Sequence, residues 1–189
     1  MSQRRQEAIL WAVRVALVVA IAFSVAFPGL PQFEGKGMAF RAPFYLLPLA
    51  VVPVGWRLRG RPAPYPYLVD VCVVAPFLLD TLGNAFNFYN SFDVTDDVLH
   101  TVNWVLLTAG ITLGLLRTGL DRLTIWTIAY GLGAVAIIWW EAAEWLVQQL
   151  GTAGLGLTYG DTIGDLVLSS TGGAIGSAMA LWLTRHQER

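Results

Sequence analysis

Six long runs almost free of charge divide this chain, at roughly 8–27, 38–56, 66–83, 97–116, 123–148 and 160–184. Each is close to the ~20 residues an α-helix needs to cross a bilayer. The expected fold is therefore all-α: a polytopic bundle of six transmembrane helices forming one integral membrane domain over residues 1–189. Only 13% of the 189 residues are charged, about half the share of an ordinary soluble domain. A net charge of −1 leaves no nucleic-acid footprint. The lone Cys72 excludes an intrachain disulfide and a thiolate-rich metal site. Membrane lipids are the expected surroundings, and nothing in the sequence sets an oligomeric state.

The basic residues sort by side. Arg4 and Arg5, then Arg57, Arg59 and Arg61, then Arg117 and Arg122, then Arg185 and Arg189 fall on one side of the six runs, and only Lys36 and Arg41 on the other. The positive-inside rule then places both termini in the cytoplasm, with the chain multi-pass in the cytoplasmic (inner) membrane. The first run is too long for a signal-peptide core and is interrupted by Trp11 and Arg14. It reads as a retained helix, with Arg14 snorkelling to the cytoplasmic interface. Pro43, Pro48 and Pro53 free backbone carbonyls in the second run, which should be bent and backed by its neighbours. Gly110-x-x-x-Gly114 and Gly172-x-x-x-Gly176 suit close helix contacts.

On this topology nine of the thirteen acids lie on the extracytoplasmic side: Glu34, Asp80, Asp93, Asp96, Asp97, Glu141, Glu144, Asp161 and Asp165. His100 stands among them, whereas Asp70 lies near the inner end of the third run as an interfacial or paired residue. Ionisable groups at membrane depth are costly and mark functional sites by default. The spacings Asp97–His100, Glu141–Glu144 and Asp161–Asp165 put each pair on one helix face. Between the third and fourth runs, Asn84, Asn87, Asn90, Asp93 and Asp96 recur every three residues among Phe86, Phe88, Tyr89 and Phe92. That pattern predicts a short interfacial helix over about 84–94, aromatics toward lipid and amides toward the site. Asp96 and Asp161 also suit helix caps, but Glu141 and Glu144, between Trp139, Trp140 and Trp145, lie too deep in their helix for capping. Ser169 and Ser170 carry no nucleophile motif and read as packing serines.

Two basic residues cannot neutralise nine acids, so protons, a metal or a cationic substrate must. Carboxylates and amides favour Mg²⁺, Mn²⁺ or Ca²⁺ over Zn²⁺. Asp97, His100, Glu141, Glu144, Asp161 and Asp165 form the candidate metal set. Of these His100, Glu141 and Glu144 are candidates for catalysis, with His100 as base. Asp80, Asn84, Asn87, Asp93, Asp96 and Arg41 are candidate substrate contacts. This reads as a metal-dependent enzyme acting on a lipid or lipid-linked substrate. A non-enzymatic binder of an envelope lipid precursor or a cationic compound explains the acidic face with less chemistry. A cation or proton translocator needs polar steps across the whole membrane, and only Asp70 continues the path inward.

Asp96-Asp97-Val98-Leu99-His100, then Glu141-Ala142-Ala143-Glu144, then Asp161-Thr162-Ile163-Gly164-Asp165 and Gly172-Gly173-Ala174-Ile175-Gly176 together resemble the VanZ-like and YjdF-like bacterial membrane proteins over roughly residues 80–180. The resemblance implies a small multi-helix integral membrane protein. VanZ-like members are associated with resistance to cell-wall-targeting glycopeptides, which implies an envelope role. The VanZ-like pattern often has Lys where Asp97 stands, Asn at Asp165 and an Arg before the last motif. The more acidic set here is closer to the YjdF-like branch.

Overall fold

The computed structural model describes residues 1–152 and 157–185; Arg189, counted above on the basic side, lies outside them. Its helices are α1 (Gln3–Ala26), α2 (Met38–Leu46), α3 (Pro48–Leu58), α4 (Tyr67–Ala85), α5 (Phe88–Ser91), α6 (Thr95–Leu115), α7 (Arg122–Gln149) and α8 (Tyr159–Arg185), with a 3₁₀ turn at Leu116–Thr118. Taking α2 with α3, six helical stretches are long and apolar enough to cross a membrane. Among the described residues there is no strand, so the fold is an all-helical six-span bundle.

The proline-rich span divides at Leu47. Pro48 has no N–H to give to Phe44, whose carbonyl instead accepts from Leu47 N at 3.3 Å, and the regular ladder breaks there. Pro53 likewise deprives the Leu49 carbonyl of its helical donor. Arg14 of α1 fills that vacancy, donating to Leu49 O at 3.1 Å and to Asp70 Oδ2 of α4 at 2.5 Å. Tyr65 also donates to Asp70. Arg14 thus pairs inside the bundle, correcting the expectation that it snorkels outward. Asp70 is the paired residue anticipated for it, and it is fully buried. In a medium without water, a pair plus a freed carbonyl is a better partner for a guanidinium than an interface a turn or more away.

The glycines act as the spacing suggests. A Cβ at Gly172 would run into the Thr101 carbonyl, and one at Gly176 into that of Val105. The α6–α8 contact is the most intimate in the bundle. Gly110 lets α6 settle on Cys72 of α4. Polar glue reinforces the α6–α8 seam: Thr108 Oγ1 donates to Gly173 O at 2.9 Å and Thr112 Oγ1 to Ser177 Oγ at 2.9 Å.

The predicted interfacial helix over 84–94 shrinks to the single turn of α5. Asn84 belongs to α4, and Asn87 adopts a left-handed backbone at φ 61°, which ends the helical path. Orientation is also reversed in part. Asn90 is exposed and donates to Asn87 Oδ1 at 2.7 Å, while Tyr89 turns inward. Phe86, Phe88 and Phe92 do face outward and stack on one another.

Asp70→Leu should strand the Arg14 charge and cost about 3–5 kcal/mol, as breaking a buried pair does. Read as the thermal midpoint in detergent, the double change Arg14→Leu/Asp70→Leu should recover most of that loss.

Candidate functional site

α2, α4, α6, α7 and α8 bring their polar residues to the end of the bundle opposite the termini, where a cavity of about 60 Å³ opens. That volume holds a few waters or a partly hydrated ion. Its wall includes Lys36, Arg41, Asp80, Asp96, His100, Asn103, Glu144 and Asp161. Glu141 and Asp165 approach the same wall: one ligand atom each from His100, Glu141 and Glu144 lie within 4.8 Å of one another, and likewise from Asp96, His100 and Asp165. Six carboxylates therefore meet two fixed cations.

These carboxylates are not equally satisfied. Asp80 accepts from Tyr45 at 2.6 Å on Oδ2 and from Tyr89 at 2.5 Å on Oδ1, with Asn84 Nδ2 at 3.5 Å. Arg41 lies 4.0 Å from Asp80 and donates to Glu144; its guanidinium also sits over the Tyr45 ring at 5.5 Å. Asp80 is thus a fully partnered anion that fixes α2, α4 and Tyr89 together. Glu141 is the opposite case. It is only 7% exposed, yet neither Oε1 nor Oε2 has a hydrogen-bond partner among the described residues. Asn103 Oδ1, in the same cavity wall, is also unpartnered. Buried orphan acceptors of this kind carry a desolvation cost of about 1–3 kcal/mol each, more for a charge.

His100 stands at the centre. Its ring stacks on Trp104 with centroids 5.9 Å apart, and Nδ1 lies 3.0 Å from Ser169 Oγ. Nε2 faces Asp96 Oδ1 and Asp165 Oδ1, each at 3.6 Å, too far for a hydrogen bond. Two ligands of one divalent ion, each about 2.0–2.4 Å from it, lie about 3–4 Å apart.

At the rim, Lys36 is half-buried with Nζ 5.5 Å from the Tyr89 ring centroid. Burial, and secondarily the Arg41 charge, lower its pKa. Among the described residues it has no carboxylate within ion-pair distance. Burial and the Asp80 carboxylate raise the Tyr89 pKa, which keeps the phenol a donor.

Several sequence expectations shift. Asp97 is exposed and stands outside both ligand groups; Asp96 takes its place. At 100° per residue, Asp96 lies about 40° around the helix from His100, on the side of the cavity residue Asn103, and Asp97 about 60° on the other side. Asp161 lines the cavity without joining a ligand group. It does not cap α8 either, since its own N–H donates to Thr158 Oγ1 at 3.1 Å. Asp96 sits in the first turn of α6 and makes no cap bond. Asp93 is exposed and Asn87 half-buried, and neither reaches the cavity wall. Arg41 is no free edge residue but is buried and paired. Ser169, read as packing, touches His100. Tyr45, Tyr89, Asn103 and Lys36 lie outside the candidate set; Tyr45 and Asn103, one turn from Arg41 and His100, are hinted at by spacing, whereas Tyr89 and Lys36 carry no such signal.

Beside this cavity runs an apolar groove of about 570 Å³ between α2–α3 and α7, floored by α4 and α6. It shares Arg41, Asp80, Asn103, Trp104, Trp140 and Glu144 with the polar cavity, so the two are continuous.

The fold and site define a class: a small helical integral membrane protein with a buried acidic centre at one end of its bundle. The family model described as "Predicted membrane protein (DUF2238)" matches residues 9–188, and the chain belongs to that family. No curated protein and no solved structure matches it.

Tyr89→Phe should leave Asp80 Oδ1 without its donor and lower stability by about 1–3 kcal/mol, measured as thermal midpoint in detergent at neutral pH. An unchanged midpoint would show that Asp80 does not depend on this bond.

Proposed function

We propose that the acidic centre is a divalent-cation site on the extracytoplasmic side of the cytoplasmic membrane, used on a lipid or lipid-linked envelope substrate. One observation carries the reading. Glu141 presents two buried oxygens, both unpartnered among the described residues, beside His100 and Glu144, in a medium where such a group is costly without a compensating partner. Asp96 and Asp165 supply further oxygens around His100. The set is carboxylate-rich with a single imidazole, which suits Mg²⁺, Mn²⁺ or Ca²⁺ better than Zn²⁺.

His100 fits a ligand role. With its proton on Nδ1 donated to Ser169 Oγ, the Nε2 lone pair faces the two carboxylates, and the outer partner orients the ring as in other metal-bound histidines. A ligand histidine cannot also be the base, so in an enzymatic reading a cavity carboxylate takes that role. A bound cation would polarise a phosphoryl or ester oxygen and acidify a bound water. Continuity of the cavity with the apolar groove supports a substrate drawn from the bilayer. The basic residues around the opposite face and the resemblance to VanZ-like and YjdF-like proteins support the envelope side.

Elemental analysis of the purified protein after Mn²⁺ loading should find about one ion per chain, and saturating Mn²⁺ at 100 times Kd should stabilise the fold by about 2.7 kcal/mol. Glu141→Gln should weaken Mn²⁺ binding by about tenfold or more while raising the apo-protein's thermal midpoint, because an amide replaces an unpaired buried carboxylate. Absence of a bound ion and no stabilisation by Mn²⁺, Mg²⁺ or Ca²⁺ would remove the cation site.

A further inference from the structure

The apolar groove beside the acidic centre has a length, a floor and a charged end. Along α7 it extends from Ala136 to Leu150, about 21 Å at 1.5 Å per residue. One leaflet of the hydrocarbon core is about 15 Å deep, so the groove covers one leaflet and stops near the bilayer centre. Its walls are open sideways: Phe44, Leu47 and Trp139 line it and are 64%, 60% and 72% exposed. The break at Leu47 and the prolines that flank it keep α2–α3 from closing along α7. Aromatic and aliphatic side chains line it throughout, except where Arg41, Asp80, Asn103 and Glu144 join it to the polar cavity.

At that junction stands Arg41, with Lys36 in the cavity beyond it. Arg41 is held by Glu144, and Lys36 lines the cavity without an ion pair among the described residues. The Lys36 ammonium feels the charges of Asp96, Asp80 and Glu144 but contacts none of them directly, which leaves its donors open. It suits an anionic group that is bound together with the cation.

Resting on the cation-site reading, we propose that the groove seats the hydrocarbon chain of a lipid phosphate ester, entering sideways from the leaflet. Its phosphate lies in the cavity between Lys36, Arg41 and the bound ion. The chain supplies affinity by burial, at about 25 cal/mol per Å² of apolar surface relative to water. The phosphate supplies selection, because a neutral headgroup leaves Lys36 unpaired and the cation without its bridging ligand.

Native mass spectrometry of the full-length protein in detergent tests this with Mn²⁺ present and three ligands: hexadecyl phosphate, hexadecanol and inorganic phosphate. Hexadecyl phosphate should bind at least about tenfold more tightly than either fragment. Ala136→Phe/Ala143→Phe, which fills the groove from its open side, should weaken hexadecyl phosphate by about tenfold and leave Mn²⁺ binding unchanged. Lys36→Gln should weaken hexadecyl phosphate and leave hexadecanol unaffected. Equal binding of hexadecanol and hexadecyl phosphate overturns the phosphate assignment, and inorganic phosphate matching hexadecyl phosphate overturns the groove. The wild-type comparison decides even if the double variant does not fold. Failure of Mn²⁺ to bind, with amphiphile discrimination intact, sinks the cation site and leaves the lipid site standing; the reverse result does the opposite.

Discussion

Arg41 ties three spans together at one point. From α2 it donates to Glu144 on α7 and faces Asp80 on α4, and one turn on Tyr45 donates to the same Asp80. A guanidinium sunk this far needs anions on more than one side, and each anion needs further donors. The requirement propagates to Tyr89 and Asn84, and so fixes where α5 meets α4. The polar end is therefore a connected network in a low-dielectric setting, where satisfied members rigidify the structure and an unsatisfied one is costly. Arg41 also stands where cavity and groove meet, so the residue that organises the fold divides the charged space from the apolar one.

The two polar ends of the bundle obey the same physics with different outcomes. Near the termini, Arg14, Asp70, Tyr65 and the Leu49 carbonyl pair one cation with one anion, and the freed proline carbonyl takes a further donor. This arrangement holds α1, α3 and α4, and leaves Asp70 Oδ1 and Arg14 Nε without a hydrogen-bond partner among the described residues. At the other end the acids outnumber the cations, and among the described residues Glu141 has no hydrogen-bond partner and Lys36 no ion-paired carboxylate. Packing does not require Glu141, because a buried ionic group can often be replaced by an apolar residue of similar volume at no loss of stability. Glu141, with both oxygens orphaned among the described residues, is the feature on which the proposed site rests.

The sequence made the spans, the proline break and the α6–α8 glycine contact legible because each depends on local chemistry: run length, a missing N–H, a missing Cβ. Glu141 was legible too, since capping has no reach at that depth. What was hidden depended on azimuth and on partners far along the chain. Asp96 rather than Asp97 joins the cavity because of how α6 is rotated about its axis in the bundle, which no spacing rule encodes. Ser169 meets His100 across 69 residues, and Tyr89 reaches Asp80 because Asn87 turns the chain back. The Asn stripe misled for a related reason: a period of three fits a helix, but a left-handed residue in its midst redirects alternate side chains.

The charge distribution also constrains how a cation and an anionic headgroup can share the cavity. Six carboxylates around two cations weaken the binding of a phosphate at an empty centre. A divalent ion among Asp96, His100, Glu141, Glu144 and Asp165 cancels much of that field and offers open coordination positions. The phosphate in turn supplies oxygen ligands that the protein set lacks and gives Lys36 its counter-charge. Binding of each must then strengthen the other by the same factor, since linkage between two sites is reciprocal. On the proposed arrangement, the surplus of acid makes lipid capture stronger when the ion is bound, which a site built of lysines and arginines alone could not do.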